Sequence, residues 1–134
     1  MVVQDNVQQV KDAYGAFGRG DIAAVMETLS DDIEWIIPGP SEIPTSGTQR
    51  GKQAVQTWFG TLAQTIAYQR FEPYEFIADG DKVVVLLHVE GTMQHNKRSF
   101  AGDEAHVFTT RGGKTVRFHV FEDTEAFATA FRGK

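Results

Sequence analysis

Apolar residues Val3, Val7, Val10, Tyr14 and Phe17 recur at steps of four, three, four and three at the start of the chain. That spacing lays one apolar stripe along a helix of about four turns. Gly18-Arg19-Gly20 ends it, and Asp21 offers an N-cap for a second, short helix over residues 22–29. Ser30-Asp31-Asp32 breaks the pattern. Residues 33–37 then read as a strand, with Ile33, Trp35 and Ile37 on one face, stopped by Pro38-Gly39-Pro40. Residues 38–51 form a polar loop, long enough to serve as a lid or a mouth. A third helix over 52–66 turns Val55, Trp58, Phe59, Leu62 and Ile66 inward.

From Arg70 onward the pattern is that of strands. Segment 71–78 meets 82–92 through Ala78-Asp79-Gly80-Asp81, and 99–111 meets 114–122 through Gly112-Gly113, both hairpin signals. Asp123 caps a final helix over 124–131. Helices and strands are segregated, so the fold class is α+β, with helices packed on one face of a sheet. Val83-Val84-Val85-Leu86-Leu87 is apolar on both faces, whereas an antiparallel strand with one wet face alternates. The second face is therefore expected to be covered by another copy of the chain, as a homodimer.

Composition narrows the function. The chain has 134 residues, no cysteine, and 13 basic against 18 acidic side chains for a net charge of −5. One domain over 1–134 is expected at this length. The absence of cysteine excludes disulfides, thiolate metal sites and a cysteine nucleophile. An acidic chain without a Lys/Arg cluster disfavours nucleic acid and anionic membrane as partners. The longest apolar run falls far short of the ~20 residues of a membrane helix. The start, Met1-Val2-Val3-Gln4-Asp5, has neither the basic cluster nor the apolar run of a signal peptide, so a cytoplasmic location is expected.

Three local signatures, with this element order, resemble the nuclear transport factor 2-like superfamily, in its ketosteroid isomerase-related, SnoaL-like branch. They are Gly20-Asp21-Ile22 through Leu29-Ser30-Asp31-Asp32-Ile33-Glu34-Trp35, then Arg50-Gly51-Lys52-Gln53-Ala54-Val55, and Ala105-His106-Val107-Phe108 through Gly113-Lys114-Thr115-Val116-Arg117-Phe118 to Asp123-Thr124. The resemblance implies a cone, in which a curved sheet wraps a pocket closed by the N-terminal helices and dimerises through its convex face. The superfamily hosts isomerases, cyclases, dehydratases, epoxide hydrolases and binders, so fold alone does not assign a reaction. A steroid isomerase of this kind needs a carboxylate base and an oxyanion hole of one Tyr and one protonated Asp. Matched to this chain, those three positions are Ile37, Ala13 and Ala105, and the set is absent.

With the register the resemblance implies, Val84, Leu86, His88 and Glu90 point into the pocket. So do Ala101, Asp103, Ala105 and Val107 from the next strand, and Val116, Phe118, Val120 and Glu122 from the last. Pairing Arg111 with Lys114 across Gly112-Gly113 sets His106 opposite His119 and Asp103 opposite Glu122. Opposed carboxylates bind one proton more tightly than usual, an arrangement suited to acid–base work. Asp103, Glu122 and His88 are thus the candidate catalytic residues, unless both acids sit solvated at the rim. Tyr14, Phe17, Trp35, Ile37, Trp58, Leu86, Ala105 and Phe118 are the expected pocket wall. Phe100, His106, Phe108, Arg117, His119 and Phe121 fall on the convex, dimer-forming face; a slip of one residue would turn the histidines inward.

No metal site and no cofactor are expected, because His88, His106 and His119 lie on opposite faces in this register. Gly112-Gly113-Lys114 lacks the strand–loop–helix setting of a phosphate loop, and Ser99 lacks a nucleophile elbow. The pattern suits a small, largely hydrophobic organic ligand, either transformed by cofactor-independent proton transfer or simply bound; the further alternative is a dimeric interaction module whose cavity is collapsed.

Overall fold

The computed structural model describes residues 3–133; the side chain of Val3 and the readings placed on Met1 and Val2 lie outside what it describes. Helix α1 (Val3–Gly18) is followed by α2 (Ile22–Glu27), strands β1 (Leu29–Ile37) and β2 (Gly47–Arg50), and α3 (Lys52–Thr65). Strands β3 (Ile66–Asp79), β4 (Lys82–Met93), β5 (Ser99–Arg111) and β6 (Lys114–Phe121) come next, and α4 (Thr124–Arg132) closes the chain. Caps fall where the sequence places them. The Asp21 carboxylate accepts from the Ala24 amide at 3.1 Å, and Asp123 accepts from Ala126 at 3.0 Å.

One six-stranded mixed sheet runs in the order β2-β1-β6-β5-β4-β3. Only β1 against β6 is parallel; the other neighbours are antiparallel. The fold is α+β, and the sheet is open between its two edge strands. Three elements differ from the sequence reading, β3 by beginning at Ile66, directly after α3, rather than at residue 71. β1 begins at Leu29, because Leu29 pairs with Thr115 and the Thr115 amide donates to the Thr28 carbonyl at 2.9 Å. The polar Ser30-Asp31-Asp32 run is carried as an irregularity in that ladder, not as a break. Within the long loop, Gly47–Arg50 adds an edge strand against β1.

The register of the last hairpin decides the interior. Arg111 pairs with Lys114 across Gly112-Gly113, whose φ angles of 58° and 81° suit a primed two-residue turn. Thr110 then pairs with Thr115, but Thr109 pairs with Arg117, so Val116 is a β-bulge. From there His106 faces Val120 rather than His119. The expected faces of β4 and β5 are consequently exchanged. Val83, Val85, Leu87, Val89 and Met93 are buried in β4, while His106 and Phe108 are buried in β5. Leu86, His88, Asp103 and Ala105 lie on the opposite, convex face.

Gly91, on the inner side of β4, leaves room for the Phe100 ring. A Cβ there would stand 2.6 Å from the ring, whereas one at Gly102 meets nothing within 4 Å. Gly91→Ala should therefore lose about 1–3 kcal/mol in denaturant unfolding through overpacking, and Gly102→Ala should be near neutral.

Candidate functional site

Between the concave face of the sheet and the helices lies a cavity of about 840 Å³ of empty space, its open mouth included. Its walls are aromatic because the inward positions of α1, α3, β1, β3, β5 and β6 all carry large rings. Tyr14 and Phe17 come from α1, Trp35 from β1, Trp58 and Phe59 from α3, Tyr68 and Phe71 from β3, Phe108 and Phe118 from the last hairpin, and Phe127 from α4. Trp35 stacks on Phe118 with centroids 4.0 Å apart. The Trp58 indole N–H donates to the Thr45 carbonyl at 2.8 Å, fastening the 38–46 loop to the mouth. The Trp35 indole N–H is buried without a partner among the described residues.

Set in these walls is a short polar chain. The Tyr14 hydroxyl lies 2.6 Å from His106 Nδ1, and His106 Nε2 lies 2.9 Å from Glu104 Oε1. Both His106 and Glu104 are deeply buried, with side chains 6% and 9% exposed. With Glu104 ionised, only one proton arrangement satisfies all three groups. Nε2–H donates to the carboxylate, and Nδ1 accepts from the phenol. The chain ties α1 to β5 across the cavity.

Glu122, just past the end of β6, is the next inward position and lines the same cavity. Continuing the ladder beyond Ala105–Phe121 sets it beside Glu104. Burial raises its carboxyl pKa from 4.5 to about 8, with the charges of Glu104 and Asp123 adding to the rise. Glu122 is therefore protonated at neutral pH. Burial, and then the Glu104 charge, also push the Tyr14 and Tyr68 phenols up; Glu122 contributes at Tyr68.

The structure separates the three candidate catalytic residues. Glu122 stands in the cavity, but Asp103 and His88 are on the convex face, 2.8 Å from each other. His88 also meets Glu90 at 2.9 Å, and these two hydrogen bonds raise its pKa. The expected Asp103–Glu122 opposition is thus replaced by His88–Asp103 outside and Glu104–Glu122 inside, because the bulge consumes one residue of β6. Of the expected wall, Tyr14, Phe17, Trp35, Ile37, Trp58 and Phe118 line the cavity, whereas Leu86 and Ala105 do not. Of the expected dimer face, Arg117, His119 and Phe121 point outward. Phe108 and His106 line the cavity, and Phe100 packs inward against Phe127 with centroids 5.0 Å apart.

Sequence reasoning missed Glu104, Tyr68 and Phe71 as lining residues. The alternation of β4 held the signal. Its odd positions from Val83 to Met93 are all apolar or Gly, while its even positions include His88 and Glu90. Turning the odd set inward turns Glu104 and His106 inward with it. Among the described residues, no group of three or more His, Asp or Glu side chains is arranged to hold a metal ion, and no helix is long and apolar enough to cross a membrane.

A curved sheet with a helix-covered aromatic cavity is the architecture of the nuclear transport factor 2-like proteins. Within them this chain belongs to the SnoaL-like domain family, whose sequence model matches residues 10–118. It is similar to a solved NTF2-like protein of Burkholderia xenovorans LB400, 36% identical over 98% of both chains, with a TM-score of 0.89. An NTF2-like protein of unknown function from Burkholderia pseudomallei K96243 is 32% identical over 95% of this chain and 97% of its own, TM-score 0.88. TerC, co-crystallised with polyporic acid, is 26% identical over 96% of this chain and 98% of its own, TM-score 0.86. No curated protein sequence matches the chain.

Holding Glu122 neutral has a measurable cost. In the unfolded chain it ionises near pH 4.5, in the fold near pH 8, so stability falls as pH rises through that window and levels off above it. Glu122→Gln should therefore leave the melting temperature near that of the parent at about pH 4, and raise stability at about pH 8 by up to ~4 kcal/mol.

Proposed function

We propose that this chain takes a small, largely hydrophobic organic molecule bearing a carbonyl or hydroxyl into the aromatic cavity and acts on it by cofactor-independent proton transfer, with Glu122 as the acid–base group. The observation that carries the reading is a carboxyl group, Glu122, lining an apolar aromatic cavity beside the Glu104–His106–Tyr14 chain, where burial raises its pKa to about 8. A carboxyl neutral at pH 7 hydrogen-bonds a ligand oxygen and gives it a proton, and the resulting carboxylate recovers a proton as one leaves the ligand. Isomerisation, cyclisation, dehydration and epoxide opening share that opening move. The unpaired indole N–H of Trp35 is a second donor in need of an acceptor. TerC's co-crystallisation with polyporic acid supports a small organic molecule as the class of ligand for this fold.

The binding-only alternative draws on a different feature. Tyr14, His106 and Glu104 satisfy one another, and groups committed to one another are less free for chemistry. Deuterium exchange into the acetyl group of 2-acetylnaphthalene separates the two readings. Proton transfer predicts exchange faster than in buffer, falling on the order of 10²-fold in Glu122→Gln. It also predicts a decline above about pH 8 as Glu122 ionises against Glu104, Asp123, Tyr68 and the His106–Tyr14 pair. Saturable binding with no exchange at any pH would leave a carrier.

We also propose a homodimer through the convex face. The ladders align Ile77, Val84, Val107, His119 and Ile36 in one row across five strands, with Leu86, Ala105 and Phe121 in the next. Ile77 and Phe121 are 47% and 50% exposed, an apolar surface that a second copy would cover. Phe121→Asp should shift sedimentation from dimer to monomer while cavity binding survives.

A further inference from the structure

Among the described residues, the cavity wall contains two carboxyl groups, Glu104 and Glu122, and no lysine or arginine. Basic side chains nearby are engaged elsewhere. Arg50 and Arg117 both pair with Glu34, and Lys11 lies over the Phe76 ring, 5.2 Å from its centroid. His106 offers an incoming anion nothing, since its two nitrogens are taken by Tyr14 and Glu104. Nor do the helix ends repair the balance: none of the first-turn residues of α3 or α4 before Phe127 lines the cavity.

We propose that Glu104 and Glu122 make the cavity charge-selective, so that it admits neutral and cationic aromatic ligands and excludes the carboxylate of the same skeleton. This rests on the cavity being the ligand site. A carboxylate ligand entering would face Glu104 at short range in a space walled by rings, where like charges are poorly screened. A ketone meets no such repulsion and can accept from the protonated Glu122 carboxyl. A quaternary ammonium gains twice, from Glu104 and from the faces of Tyr14, Trp35, Tyr68 and Phe71 around it. Glu122, its carboxyl pKa raised by burial, is the adjustable charge of the pair. As pH rises, Glu122 ionises under the opposing influence of Glu104 and Asp123, with Tyr68, Tyr14 and His106 the other titratable groups facing it.

Three naphthalene probes of one skeleton test this by calorimetry or tryptophan quenching: 2-acetylnaphthalene, 2-naphthoate and (2-naphthylmethyl)trimethylammonium. At pH 7 the naphthoate should bind at least about ten-fold more weakly than the ketone, and the ammonium at least as tightly as the ketone. At pH 9 the naphthoate should weaken further and the ammonium tighten, although neither probe titrates between these values. Glu104→Gln should narrow the naphthoate–ketone gap while keeping an acceptor for His106. Glu122→Gln should abolish the pH 7 to pH 9 change, and gives a second reading should the Glu104 variant fail to fold. Naphthoate binding within about three-fold of the ketone, or a gap unchanged in both variants, overturns the proposal. Binding of none of the probes overturns it together with the cavity's role in ligand binding. Discrimination without deuterium exchange upholds it and rejects only the proton-transfer chemistry.

Discussion

Between Thr115 and Arg117 the last hairpin falls out of step by one residue, and the contents of the cavity follow from that bulge. Side chains alternate across a sheet with a period of two, so one extra residue in β6 turns over every position of β5 relative to it. Because β4 is hydrogen-bonded to β5 without interruption from Lys82 to Thr92, it turns over as well. Phe118, Val120 and Glu122 stay on the inner side while Glu104, His106 and Phe108 join them. The ion-paired His88 and Asp103 go to the outer face. A protein of this composition without the bulge would have a different set of groups in its interior.

The interior so formed combines two environments that oppose each other. Ten aromatic rings line it, which suits an organic ligand and repels charge. Into this the sheet places Glu104, His106 and Glu122, whose charged forms are costly to bury unless they are partnered. Glu104 and His106 resolve the conflict by bonding to each other, with Tyr14 completing the chain from α1. Glu122 resolves it by keeping its proton. The stability given up to hold a carboxyl in that state is the kind of local expense that functional cavities carry.

The aromatic cavity and the exposed apolar rows lie on opposite faces of one sheet. On the convex side the ladders place an aliphatic and aromatic row beside a polar one in which Arg70, Glu72, Glu90, His88 and Asp103 are ion-paired with one another. On the concave side His106 pairs with Glu104, and among the described residues no lysine or arginine lines the cavity. The same strands thus carry an ion-paired network outside and, inside, the Glu104–His106 pair beside the Glu122 carboxyl.

Every element except the edge strand β2 was legible in the sequence, though the starts of β1 and β3 were not, because helix stripes, caps and turns depend on local rules. The i, i+3, i+4 stripe of Val7, Val10, Tyr14 and Phe17, the Asp21 and Asp123 caps, and the Gly112-Gly113 turn each act within a few residues. The resemblance carried by the Gly20–Trp35, Arg50–Val55 and Ala105–Thr124 signatures placed the helices over the sheet, and with it Tyr14, Phe17, Trp35, Ile37, Trp58 and Phe118 around the cavity. What pattern alone did not settle was the facing of β4 and β5. Both faces of Val83–Leu87 are apolar, so that run alone does not distinguish the two registers, and only the longer alternation through His88, Glu90 and Met93 favours the odd positions as the inner set. Only the three-dimensional pairing, in which Thr115 bonds back to Thr28 and β1 locks Trp35 against Phe118, places the bulge at Val116. That non-local constraint sends Glu104 and His106 inward, in place of the Asp103 and Ala105 that the register implied by the resemblance turns inward.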